Sequence, residues 1–167
     1  MTRMEWRSFQ GIVTAIDDYI TSPSGENSGC WKLMTLENND QVVRFVVSPM
    51  TYVVDQAKIR IGDRVSGYYD GNAPVILIYP PQYRALILVK DRSDQNVKVD
   101  FFNEQLLSRD GQLLLNLGPF TQIMLANGLD FNQNPANRDL IVIYGAATKS
   151  IPAQTVPYKI IVWCPMQ

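Results

Sequence analysis

The sequence contains no histidine. That removes Ser-His-Asp and Cys-His nucleophilic sites, histidine general bases and every zinc site that uses imidazole. Cysteine is nearly absent too, with only Cys30 and Cys164. Two residues so far apart make neither a CxxC motif nor a disulfide framework. The expectation is two small buried hydrophobes, with a bridge joining the halves of the chain as the alternative. No apolar run approaches the roughly 18 residues that span a bilayer, and the opening residues 1–8, MTRMEWRS, lack the apolar stretch of a signal peptide. A soluble, cytoplasmic chain without a membrane partner is expected. Neither GxGxxG nor GxxxxGK(S/T) occurs, so no phosphate-cradling loop is present.

Charge of either sign is sparse and balanced. Charged residues make up 19% of the chain and the net charge is −1. Residues 1–94 hold 10 basic and 11 acidic side chains, and residues 95–167 hold 5 of each. An indiscriminate binder of phosphate backbones carries a basic face, which argues against nucleic acid as the partner.

What the chain does have is β patterning. In Gln41–Val54 the residues Val43, Phe45 and Val47 share one parity, so a strand points all three the same way. The other parity, Val42, Arg44 and Val46, is mixed. Seventy residues later Leu113, Leu115 and Leu117 repeat the apolar parity, with Gln112, Leu114 and Asn116 between them. Both apolar sets are expected to be buried. Leu36, Asp40, Pro49 and Thr51 are echoed in register by Leu106, Asp110, Pro119 and Thr121. With a shift for loop length, Asp63–Tyr68 is answered by Asp139–Tyr144, and Tyr83–Leu88 by Tyr158–Trp163. Three blocks in the same order predict a duplicated β unit.

Along the chain, strands are expected at Phe9–Ile16 (Gly11 marking a bulge or bend), Trp31–Leu36, the Val42–Val47 stretch, Asp63–Tyr69, Tyr83–Lys90, Val97–Phe102, Leu113–Leu117, Phe120–Leu125, Leu140–Tyr144 and Tyr158–Trp163. Asp55–Gly62 is ambiguous. Ala73–Gln82 carries three prolines and is expected to be an extended loop or edge, because a central strand cannot spare the donors. The polar run Asp91–Asn96 is the boundary candidate. The fold class expected is all-β: two tandem small OB-like Greek-key β-barrels arising from an internal duplication, residues 1–94 and 95–167. The segments Val47–Asp55 and Ile78–Tyr83 also resemble those of uncharacterised small β proteins of anaerobic Gram-positive bacteria. That resemblance implies no activity and no site residues.

Few constellations could carry chemistry. Asp17 and Asp18 beside a loop containing Glu26 could hold a hard cation, but adjacent strand residues point apart and a solvated turn is the preferred explanation. Asp100 and Glu104 could pair as the two carboxylates of a glycosidase, but nothing in their spacing makes them converge. The aromatics are more informative. Tyr68, Tyr69, Tyr79 and Tyr83 fall near the proline-rich segment, with Trp31, Phe45 and Tyr52 in the same half. Tyrosines on a stiff loop can contact sugars, bases or a partner's side chains, or the rings can simply fill a small barrel. Tyr79 and Tyr83 are the first surface candidates. Strands such as Ala85–Val89 and Leu140–Ile143 would invite pairing with another copy if left as open edges. The function expected is a non-catalytic binding or assembly protein, self-associating or bound to a protein partner, with no cofactor and no metal. The alternative is a module for oligosaccharide or single-stranded nucleic acid using an aromatic face. A carboxylate hydrolase ranks third.

Overall fold

The computed structural model describes residues 3–19 and 28–165. The chain divides into two compact units, Met1–Asp91 and Arg92–Gln167, and the division falls within the polar run 91–96. Both units are all-β: among the described residues the only helical piece is the 3-10 turn Val54–Gln56, at the start of the ambiguous stretch. None of these residues belongs to a helix long and apolar enough to cross a membrane.

The first unit contains β1 (Trp6–Asp18), β2 (Lys32–Asn38), β3 (Gln41–Val47), β4 (Tyr52–Val53), β5 (Arg64–Asp70), β6 (Gln82–Arg84) and β7 (Ile87–Lys90). Their order in the sheet is β4-β7-β5-β1-β2-β3-β6. β1 is long because it serves two partners: Trp6–Ile12 pairs with β5 and Ile12–Asp18 pairs with β2. The β1–β2 register shifts at Val13/Ala15, not at Gly11. Gly11 answers a different demand, since a Cβ there would lie 2.7 Å from the Glu37 carbonyl oxygen. β2 and β3 join through a two-residue turn in which Asn39 takes φ 55, a conformation asparagine tolerates better than branched residues.

β6 and β7 are one run of chain seen from two sides. β6 pairs parallel with β3, and β7 pairs antiparallel with β5. Between them the Ala85 N–H donates to the Val46 carbonyl at 3.0 Å, and the Leu86 N–H to the Tyr68 carbonyl at 2.9 Å. The core beneath holds Val13, Met34, Leu36, Val43, Phe45, Val65, Ala85 and Leu88, with Val47, Tyr69 and Tyr83 packed against it.

The second unit contains β8 (Asn96–Phe102), β9 (Leu113–Leu115), β10 (Gln122–Leu125), β11 (Arg138–Tyr144), β12 (Ala153–Thr155) and β13 (Lys159–Trp163). Its pairings run in the order of the first unit's. β8 pairs antiparallel with β11 as β1 does with β5, and β13 antiparallel with β11 as β7 does with β5. β9 with β12 and β10 with β13 are parallel, as are β3 with β6 and β4 with β7. The counterpart of β2 is reduced to the bridges Phe102↔Ser108 and Leu107↔Leu114. Its core is Phe102, Leu113, Leu115, Leu140, Val142, Ile160 and Val162.

Several expectations need correction. Leu117 is 42% exposed, because β9 ends at Leu115 and the chain then turns through Gly118–Thr121. Leu36 does not correspond to Leu106: the second hairpin loop is longer, and Ser108 is the residue whose N–H meets the Leu113 carbonyl. Leu106 instead sits in a turn with φ 65. By pairing, Tyr68 stands where Ile143 does and Tyr69 where Tyr144 does, one residue away from the sequence echo, and Tyr83 stands where Thr155 does, three residues before its echo Tyr158. Ala85–Val89 and Leu140–Ile143 are not open edges, since β7 lies between β4 and β5 and β11 between β13 and β8. The cysteines are exposed thiols, not buried hydrophobes.

Candidate interaction surface

The loop from β5 to β6 is where the chain departs furthest from burying its apolar residues. Val75, Ile76, Leu77, Ile78 and Tyr79 are all exposed, Leu77 at 96% and Tyr79 at 80%. The loop is anchored at its start: Asp70 Oδ1 accepts the Asn72 N–H at 2.9 Å and the Glu5 N–H at 3.1 Å, and the Ala73 N–H reaches the Asp70 carbonyl. Pro74, Pro80 and Pro81 remove three donors and fix three φ angles at the two ends of the run. No charged side chain occurs from Gly71 to Tyr83. Five successive exposed apolar residues without a charge are uncommon on a soluble surface, where single exposed apolar residues are ordinary.

The four tyrosines separate into different environments. Tyr79 lies on the exposed run. Tyr69 and Tyr83 are half-buried and stacked on each other at 3.9 Å with planes 10° apart, and both tilt onto the fully buried Phe45. One face of each ring is therefore covered by the other within the chain. Burial, with the Tyr83 hydroxyl beside it, pushes Tyr69 up to about 12. Tyr68 has the opposite parity on β5, away from Phe45. Trp31 stacks with Tyr19 at 6.4 Å and carries the Arg84 guanidinium 5.8 Å over its ring. Tyr52 is half-buried on β4, and burial, then the charge of Asp55, raises its pKa.

The corner where β5 meets β6 is nearly filled. A cavity of about 70 Å³ remains, lined by Tyr69, Tyr83 and Arg84 with Pro74 and Val75 of the loop. The equivalent corner of the second unit is open. There the loop from β11 to β12 is three residues shorter, Thr155 replaces the Tyr83 ring and Gly145 follows Tyr144. The result is a shallow depression of about 610 Å³ lined by Gly145, Ala146, Ala147, Thr155, Val156 and Tyr158, with Asn116, Thr148 and Gln154 at the polar side. No charged residue lines it. Sequence periodicity missed this feature because it depends on a loop length and on one ring exchanged for a hydroxyl.

Asp18 and Asp100 both find partners elsewhere in the chain. Asp18 pairs with Lys32 at 2.5 Å, and Glu26 lies outside the described residues. Asp100 is buried, its oxygens accepting the Phe101 N–H at 2.8 Å and the Asp110 N–H at 3.2 Å, while Glu104 is exposed on the following turn. Among the described residues no cluster of three Cys, Asp or Glu could hold a metal. No protein-family model, curated protein or solved structure matches the chain.

Proposed function

We propose that the chain is a non-catalytic assembly protein, built of two OB-like Greek-key barrels related by duplication, and that it associates with itself. The barrel part rests on the run 82–90, which pairs with β3 at one end and β5 at the other; counted as one strand, it gives five strands in the order of a closed Greek-key barrel. Duplication is supported by matched details outside the core. Thr51 Oγ1 donates to the Ala85 carbonyl at 2.8 Å and accepts the Ser48 N–H at 3.0 Å. Thr121 Oγ1 donates to the Pro157 carbonyl at 2.7 Å and accepts the Gly118 N–H at 3.2 Å.

The observation that carries the functional part is the uncharged run Val75–Tyr79. Four of its five side chains are aliphatic. Aliphatic side chains offer little to a sugar ring or a base, which are gripped by stacking and by polar groups, but suit the desolvated centre of a protein interface. Sedimentation velocity over a wide concentration range tests this. Mass rising with concentration is expected, and a monomer up to the highest soluble concentration overturns the reading.

A further inference from the structure

Resting on that reading, we infer that the self-contact is a donor–acceptor pair: the Val75–Tyr79 run of one copy seats in the β11–β12 depression of another. Four observations converge on it. The donor projects apolar side chains that its own corner has no room for, since only about 70 Å³ is open there. The acceptor is the same corner of the other unit, left open where a shorter loop and Thr155 supply less bulk. The small residues Gly145, Ala146 and Ala147 line it with little bulk, and half-exposed Val156 and Tyr158 add apolar surface. Val156 also lies against Gly118, which continues the apolar surface toward exposed Leu117.

The electrostatics agree. Neither donor nor acceptor carries a charge, so bringing them together desolvates no ion, the term that most often cancels the gain from buried area. The polar lining is not wasted either, because Gln154 and Thr148 already bond within the chain, through the Gln154 N–H to Thr148 Oγ1 at 2.9 Å. A contact this small belongs at the low end of protein interfaces, below about 1,200 Å² in total, so association will be weak and concentration-dependent. Every copy carries both halves of the contact. Two copies that satisfy both reciprocally close as a dimer, and otherwise the contact propagates along a chain of copies.

Complementation between two variants is the test. Leu77→Asp spoils the donor and Val156→Glu spoils the acceptor. Both positions are exposed, and circular dichroism with a thermal midpoint close to wild type establishes that each variant folds. Ala147→Arg, also exposed, stands in for the acceptor change should Val156→Glu fail to fold. The expected result is that each variant alone sediments as a monomer, while an equal mixture forms a dimer through the one intact pair and grows no further. Wild-type chain that stays monomeric overturns this inference and the functional reading together. Leu77→Asp monomeric with Val156→Glu and Ala147→Arg assembling like wild type overturns the inference alone, pointing to loop-on-loop contact. Both variants monomeric with no dimer on mixing also overturns it.

Discussion

The two units arrive at the same strand pairing with different materials. In the first, β1, β2 and β3 form a continuous meander with seven paired positions between β2 and β3. In the second, the same meander is held by two isolated bridges, one on each side of the reduced middle strand, and side chains take over work that backbone does elsewhere. Asn103 Oδ1 accepts the N–H groups of Gln105 and Leu107 at 2.9 and 3.1 Å. Ser108 Oγ accepts from Leu113 and donates to Asp110 at 2.6 Å. Lys98 pairs with the same carboxylate. Burial works against the Asp110 charge, but the hydrogen bonds from Lys98, Ser108 and the Gln112 N–H outweigh it and hold the group below the usual carboxylate range. A strand pair can thus be shortened to a few bridges if the freed backbone donors find acceptors nearby.

The cores differ in a complementary way. The first unit places Phe45 against Gly67, where an added Cβ would lie 2.6 Å from the ring. At the equivalent positions the second unit has Leu115 and Val142, both buried in its core. One large and one minimal side chain have been exchanged for two of middle size. This is the kind of volume-conserving swap that cores tolerate.

That exchange supplies the largest expected effect. Gly67→Val alone should cost about 3 kcal/mol or more, since the new side chain meets a fully buried ring with nowhere to move. Phe45→Leu alone should cost about 1–3 kcal/mol through the cavity it leaves. The double variant, which copies the second unit's pair, should recover at least half of the summed loss in urea unfolding. Additive losses would break the equivalence of the two cores.

A middle-sized effect tests the matched threonines. Thr51→Val and Thr121→Val each keep the side chain's shape but remove a donor to a backbone carbonyl and an acceptor for a backbone N–H. Each should lower stability by about 1–2 kcal/mol. Similar losses at both sites sharpen the comparison; a loss at only one would show that the two turns are alike in geometry but not in weight.

Much of this was legible in the residues. Parity located Val43 and Phe45 on β3 and Leu113 and Leu115 on β9, but it missed Val46, buried from the other face of β3, and overrated Val47, which is only half-buried. The Thr51/Thr121 match was visible at constant spacing because no insertion lies between them and their strands. The Tyr68/Tyr144 echo misled by one residue for the opposite reason: β5 and β11 follow loops of different length, and identical residue types drew the alignment off register. Leu117 kept the parity but lost the partner strand, a tertiary fact that alternation cannot carry. The exposed loop was marked by its prolines, whereas the open corner had no marker in one dimension.

The smallest effect concerns the tyrosines that replace one another, Tyr69 and Tyr144. Burial raises both, Tyr69 to about 12 and Tyr144 in the same direction against the opposing charge of Lys98. A phenol whose folded pKa exceeds its unfolded value of about 10 favours the fold only while protonated. Above that value the unfolded chain gives up its proton first, so the contribution is whole below about pH 10 and is lost as the pH climbs through the folded pKa. For Tyr69 that window runs from pH 10 to about 12. The phenylalanine variant keeps the ring on Tyr83 and Phe45 but cannot ionise, so its denaturation midpoint should fall less steeply across that window than wild type's. Both tyrosines are partly exposed, and solvent screening keeps the difference modest. Tyr69→Phe should flatten the alkaline limb more than Tyr144→Phe, because only Tyr69 has a second phenol stacked against it. Equal slopes in the two variants would mean that the Tyr69–Tyr83 stack adds nothing to what burial does in either unit.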